Sequence, residues 1–114
     1  RDRVAGKYRL YKGKNGKFYF QLKASNGQVI LQSQGYGSKA SANNGIASVQ
    51  KNCGDDDCFE RKQSKDGQHF FNVNSTNGQV IGTSEMYTRP SSCENGIASV
   101  KKNGPSDRVD DDTA

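Results

Sequence analysis

No apolar segment of this 114-residue chain approaches the roughly 18–20 residues that a membrane-spanning helix requires, and no signal-peptide pattern opens it. Also absent are a glycine-rich phosphate cradle, a G-x-S-x-G elbow and an H-E-x-x-H helix. Histidine occurs once, at His69. With only Cys53, Cys58 and Cys93 beside it, a structural zinc site is a poor fit. Three cysteines is an odd number, which rules out a fully paired disulfide framework. Cys53 and Cys58 flank a short loop, Gly54-Asp55-Asp56-Asp57, that a disulfide could close in an oxidising compartment; otherwise all three are independent thiols. A start at Arg1 rather than Met, together with the cysteines, fits a soluble chain that is processed or secreted.

Acidic residues are nearly missing from the first half. Residues 1–52 carry ten Lys/Arg against the single acid Asp2, a net +9, whereas residues 53–114 carry seven basic and eleven acidic residues, a net −4. A one-sided field of this kind attracts polyanions, or the opposite half of a second copy. Apolar content is low at 31%, yet the apolar residues fall in short alternating runs, the mark of half-buried strands rather than of disorder.

What is present in abundance is repetition. Asn44-Gly45-Ile46-Ala47-Ser48-Val49 returns letter for letter at 95–100, and Asn26-Gly27-Gln28-Val29-Ile30 returns at 77–81, both 51 positions on. Between 26–52 and 77–103, 16 of 27 positions are identical without a gap, so the chain is one supersecondary unit written twice. A unit of about 50 residues buries little core alone, and the two copies are expected to share one domain, with repeats over 7–52 and 58–109. Residues 1–5 and 110–114 read as mobile termini.

Within each copy the pattern predicts three strands and a helix. In the first, Lys7–Lys12 and Phe18–Ser25 alternate about an Asn15-Gly16 pair suited to a type I′ turn, and Gln28–Ser33 follows the Asn26-Gly27 turn. Ala42, Ile46 and Val49 then make one apolar stripe along a helix over 38–52. Gly45 beside that stripe lets the helix backbone approach the sheet. The second copy repeats this with strands near 59–62, 69–75 and 79–84 and a helix opening at Pro90, striped by Cys93, Ile97 and Val100. The expected fold is α+β: two tandem βββα repeats forming one antiparallel sheet, two helices on one face, pseudo-two-fold. Tyr8, Leu10, Phe18, Phe20, Leu22, Phe59, Phe71 and Val73 belong to the core side. The facing of Val29-Ile30-Leu31 and Val80-Ile81 is ambiguous.

The repeated residues Phe20–Ile30, Ser33, Tyr36 and Asn44–Val49, with their counterparts Phe71–Ile81, Ser84, Tyr87 and Asn95–Val100, resemble the YegP-like family of small tandem-repeat proteins, found mainly in bacteria. The resemblance covers roughly 7–109. It implies an antiparallel sheet of six or more strands with two helices on one side. It also implies that the strand after each helix, here near Cys58-Phe59 and Arg108-Val109, crosses to the other repeat. It brings no catalytic residues. The cysteines, Asp55-Asp56-Asp57 and the charge split depart from its pattern.

Three functional readings follow. In the first, the chain is a DNA-preferring nucleic-acid-binding module acting through its cationic first repeat and the sheet face away from the helices. Strand parity collects Arg9, Tyr11, Tyr19, Gln21 and Lys23 there, with Glu60, Lys62, Phe70, Asn72 and Asn74 from the second copy. Lys12, Lys14 and Lys17 of the hairpin stand at its rim. Cations neutralise phosphates, rings stack on bases and amides read edges. The alternative is a toxin-like, metal-dependent DNase. There Asp55, Asp56 and Asp57, joined across the pseudo-dyad by Asp110-Asp111-Asp112, hold Mg²⁺ or Ca²⁺, and His69 serves as acid or base. No cofactor is expected outside that alternative. The third reading is an electrostatically self-associating structural protein. On the outer helix faces Asn44, Ser48 and Lys51 line up, as do Asn95, Ser99 and Lys102, an arrangement that lysine at a helix C-terminus already explains.

Overall fold

A computed structural model describes residues 6–113. The elements are β1 (Lys7–Lys12), β2 (Phe18–Lys23), β3 (Val29–Ser33), α1 (Lys39–Asn52), a 3₁₀ turn (Asp56–Cys58), β4 (Phe59–Gln63), β5 (His69–Asn74), β6 (Val80–Thr83), α2 (Pro90–Asn103) and β7 (Val109–Asp112). They make one seven-stranded sheet in the order β4-β5-β6-β3-β2-β1-β7. Both helices lie on one face of it.

Local sequence explains each boundary. Four turns place a glycine (Gly16, Gly27, Gly67 and Gly78) at φ between +82° and +87°. No other residue among those described has positive φ, so the first hairpin is not the expected type I′ turn, which needs positive φ at both centre positions. Instead Gly16 N–H donates to the Gly13 carbonyl and Gly13 N–H to the Lys17 carbonyl, a type I turn closed by a glycine bulge. Asn15 Oδ1 accepts from Lys17 N–H and fixes the loop. Ser38 caps α1 through its hydroxyl, which accepts from Ser41 N–H, while Pro90 opens α2 at its first turn.

The ambiguous apolar runs are resolved by a bulge. Register shifts between Leu22 and Lys23, and at the equivalent Val73 and Asn74. The extra residue lets Ile30 and Leu31 both turn inward, and likewise Ile81 beside Gly82. The two copies then share one core. Ala42, Ile46 and Val49 of α1 and Cys93, Ile97 and Val100 of α2 are buried over Tyr8, Leu10, Phe20, Leu22, Phe71 and Val73. Phe18 sits half-buried at its margin. Where the copies differ they complement each other: a methyl built on Gly82 would meet Leu31 Cγ at 2.9 Å, so Leu31 of one repeat fills the space glycine leaves in the other.

Two expectations are corrected here. The sheet is mixed, because β7 runs parallel to β1 while the other pairs are antiparallel. Residues 110–112 are therefore a strand, not a mobile tail; residues 1–5 and 114 lie outside those described. Strand formation at an all-acidic segment has a local cause. Tyr8 N–H donates to the Arg108 carbonyl at 2.9 Å, and Tyr8 pairs with Val109. Lys7 meets Asp110 and Arg9 meets Asp112, each at 2.8 Å, and Lys39 on α1 meets Asp111. The strand after each helix does cross over: β4, after α1, pairs with β5, and β7, after α2, pairs with β1.

Candidate nucleic-acid interface

Alternation along the strands sends Tyr8, Leu10, Phe20 and Leu22 to the helices and leaves Arg9, Tyr11, Tyr19, Gln21 and Lys23 on the opposite, open face. The register aligns these residues with their neighbours. Arg9 lies opposite Gln21, Gln21 opposite Gln32, Gln32 opposite Thr83, Thr83 opposite Asn72, and Asn72 opposite Glu60. A polar row thus runs across six strands. Gln21 Nε2 donates to Gln32 Oε1 at 3.1 Å, Gln32 Nε2 to Tyr11 Oη at 2.9 Å, and Thr83 Oγ1 to Asn72 Oδ1 at 2.8 Å. Gln32 and Thr83 were missed by sequence reasoning because the bulge hid which way their strands face.

Tyr11 and Tyr19 stack with centroids 5.6 Å apart and planes 18° from parallel, and the Arg9 guanidinium lies 4.7 Å from the Tyr11 centroid. Asn15 Nδ2 donates to Tyr19 Oη. The rings form one fixed platform at the base of the β1–β2 hairpin. Lys14 and Lys17 occupy its turn, Lys23 faces Lys7 across the β1–β2 pair, and Lys12 sits on the helix side, 5.7 Å from the Phe18 ring centroid. Lys12, Lys14, Lys17 and Lys23 make no ion pair among the described residues. Lys62 and Phe70 share the open face, but on β4 and β5. Five strand spacings separate β4 from β1, on the order of 24 Å. Seven of the nine expected contact residues lie on the β1–β2 hairpin, Lys12 on its helix side and Lys23 at the end away from the turn, and Lys62 and Phe70 are set apart.

The acidic strand β7 trims the cationic end. Lys7, Arg9 and Lys39 are paired to it with side chains 37–51% exposed, so these bridges are screened and add little stability. They still alter the field. Hydrogen bonds from Lys39 and then Thr113 lower the Asp111 carboxyl to about 2, and Lys7 lowers that of Asp110. Both stay ionised at any pH near neutrality. The opposite charges of the two halves therefore meet inside one molecule.

The residues assigned to hydrolysis do not converge. Asp55 to Asp57 precede β4 at one sheet edge, while Asp110 to Asp112 form β7 at the other. Asp56 Oδ1 accepts from Lys101 at 2.9 Å and Arg61 at 3.2 Å, which lowers its carboxyl, and Asp55 Oδ1 accepts from Asp57 N–H. Among the described residues no three His, Cys, Asp or Glu side chains come together as a metal-binding group. His69 opens β5 with Phe71's parity, facing the helix side, and exchanges backbone hydrogen bonds with Tyr87 at 2.7 Å. It is on the opposite face from the platform. The expected Cys53–Cys58 bridge is also corrected: all three cysteines are free and buried. Cys53 Sγ donates to the Gln50 carbonyl and packs where Gly104 leaves room, while Cys58 ends the 3₁₀ turn. No helix among the described residues is long and apolar enough to cross a membrane.

Comparison with known proteins places this fold. A family described as a domain of unknown function, DUF1508, matches twice, over residues 14–60 and 64–111. Each matched unit begins at a hairpin turn and ends in the strand after a helix, β4 or β7. The chain is 50% identical to UPF0339 protein YegP of Yersinia pestis over 106 residues, 93% of this chain and 95% of that one. It is 46% identical to YegP of Escherichia coli K12 over 110 residues, 96% and 100% of the two chains. The solution NMR structure of yegP from E. coli, titled a protein of unknown function, superposes with a TM-score of 0.94 at 45% identity, covering 100% of this chain and 98% of that one. That of a UPF0339 protein from Shewanella oneidensis gives 0.89 at 42% identity, covering 94% and 91%. The chain belongs to the YegP-like UPF0339 family of tandem DUF1508 proteins.

Proposed function

We propose that this chain is a nucleic-acid-binding module that holds DNA against its β1–β2 hairpin and the adjoining open face. One observation carries the reading. Lys14 and Lys17 in the turn and Lys23 farther along the open face lie on one hairpin with the Tyr11–Tyr19 platform and Arg9, without acidic partners among the described residues, while Lys12, also unpaired, flanks the turn on the helix side. Unpaired lysines release counterions when they meet phosphates, and rings with a guanidinium beside them suit exposed bases. Supercoiled plasmid mixed with the protein tests this directly. Retarded, unnicked plasmid is expected, unchanged by EDTA and by His69→Ala. Nicking that either treatment abolishes would instead mark a metal-dependent hydrolase.

The reading assigns β7 a restraining part. Asp110→Asn with Asp112→Asn preserves the strand's backbone ladder but frees Lys7 and Arg9. Up to two further phosphate contacts become available, each adding about 0.9 to the salt slope. Duplex affinity measured by fluorescence anisotropy is expected to rise roughly tenfold at low salt. An unchanged affinity would remove β7 from the interface.

A further inference from the structure

On the helix side of the sheet, away from the proposed DNA surface, the two repeats enclose a matched pair of clefts. In one, Tyr36, Asn44 and Ser48 of the first repeat meet Ser75, Gln79 and Ile81 of the second. In the other, Tyr87, Asn95 and Ser99 meet Ala24, Gln28 and Ile30. Their volumes are about 180 and 210 Å³. Each cleft exists only because a helix of one copy faces the strand turn of the other.

Eight equivalent positions line both clefts, and seven of them carry the same residue in both copies; only Ala24 and Ser75 differ. The identity is not uniform over the surface, although Ala47 and Lys51 recur beside the clefts as Ala98 and Lys102. On the open face Arg9 answers to Glu60, Tyr11 to Lys62 and Lys23 to Asn74. Even the core has drifted, from Leu22 to Val73 and from Ala42 to Cys93. Packing explains part of the identity, since Gly45 and Gly96 leave room for the Tyr36 and Tyr87 hydroxyls. It does not explain Asn44 and Asn95. Both are exposed, neither side chain makes a hydrogen bond among the described residues, and asparagine is a poor residue for a helix interior. The preceding position has changed from Asn43 to Glu94.

We propose that each cleft binds one neutral sugar ring. A quarter of this chain is charged, yet no charged side chain among the described residues lines either cleft, so the ligand is uncharged. Asparagine amides and serine and tyrosine hydroxyls both donate and accept, as vicinal hydroxyls require, while isoleucine and the tyrosine ring offer an apolar surface to C–H groups. Neither Tyr36 nor Tyr87 spends its hydroxyl on a hydrogen bond among the described residues. The volume holds about six or seven waters' worth of ligand, a single ring.

The test is an NMR titration of the isotope-labelled chain with D-glucose, D-galactose, D-mannose and N-acetyl-D-glucosamine in turn, to tens of millimolar. Saturable shifts of the Asn44 and Asn95 side-chain amides by at least one sugar are expected, insensitive to salt and with two sites per chain. Asn44→Ala should silence the first cleft alone and Asn95→Ala the second, halving the stoichiometry. Both positions are exposed, and unmoved Gly16 and Gly67 amides report an intact fold. Absence of saturable shifts with all four sugars overturns the proposal. So do cleft shifts that persist when both asparagines are replaced.

Discussion

Replacing Lys14, Lys17 and Lys23 together with alanine is expected to lower duplex DNA affinity by about two orders of magnitude or more at about 0.1 M salt. Each lysine that meets a phosphate contributes about 0.9 to the slope of log affinity against log salt, so three lost contacts remove about 2.7. Carried from molar salt down to a tenth of that, the same figure is the loss in log affinity. The fold should not change, since these side chains sit at a turn and on an open face, where substitutions cost within about 0.5 kcal/mol. Circular dichroism and the melting temperature would confirm that. A stable variant with unaltered affinity would place the DNA elsewhere.

The second large effect concerns stability. Gly45→Ala with Gly96→Ala is expected to cost about 2 kcal/mol in all, lowering the melting temperature by roughly 10 °C. Alanine is ordinarily the better helix residue by up to about 1 kcal/mol, so on an open surface this change would stabilise. Here the added methyl at Gly45 would stand 2.4 Å from the Tyr36 hydroxyl and 2.9 Å from Phe20, and at Gly96 2.4 Å from the Tyr87 hydroxyl. Overpacking of this sort costs about 1–3 kcal/mol per site and outweighs the propensity gain. A double-mutant cycle isolates the cause. Adding Tyr36→Phe to Gly45→Ala removes the oxygen that the methyl meets, and a favourable coupling of at least about 0.5 kcal/mol is expected. An equal or larger penalty in the double variant would mean that the helix simply shifts away.

These two experiments touch the parts of the molecule that differ most in how plainly the chain announces them. The duplication, the glycine turns and the stripes Ala42-Ile46-Val49 and Cys93-Ile97-Val100 are local patterns, and local patterns survive without a partner. Gly45 beside its stripe was legible for the same reason, although Tyr36 as the group it admits was not. The strand at Val109–Asp112 was illegible because three adjacent aspartates favour solvent until Lys7, Arg9 and Lys39 stand beside them. Two of those cations lie about a hundred residues earlier. The bulges at Leu22 and Val73 were hidden in a different way: an extra residue breaks the period of two on which facing is judged. Asn44 and Asn95 looked like ordinary outer-face helix residues, because the wall opposite each belongs to the other copy. At the proposed interface, Tyr11, Tyr19, Arg9 and Lys23 followed from parity alone. The distance to Lys62 and Phe70 depended on strand order, which alternation does not encode.

The salt dependence of duplex binding is the measurement on which the functional account turns. Between 50 and 200 mM salt, the wild-type slope of log affinity against log salt should be about −3 or steeper, matching the four unpaired lysines of the hairpin. In the Lys14, Lys17 and Lys23 triple variant it should fall to about −1. Equal slopes in the two proteins, or no binding by the wild type at 50 mM salt, would contradict the account.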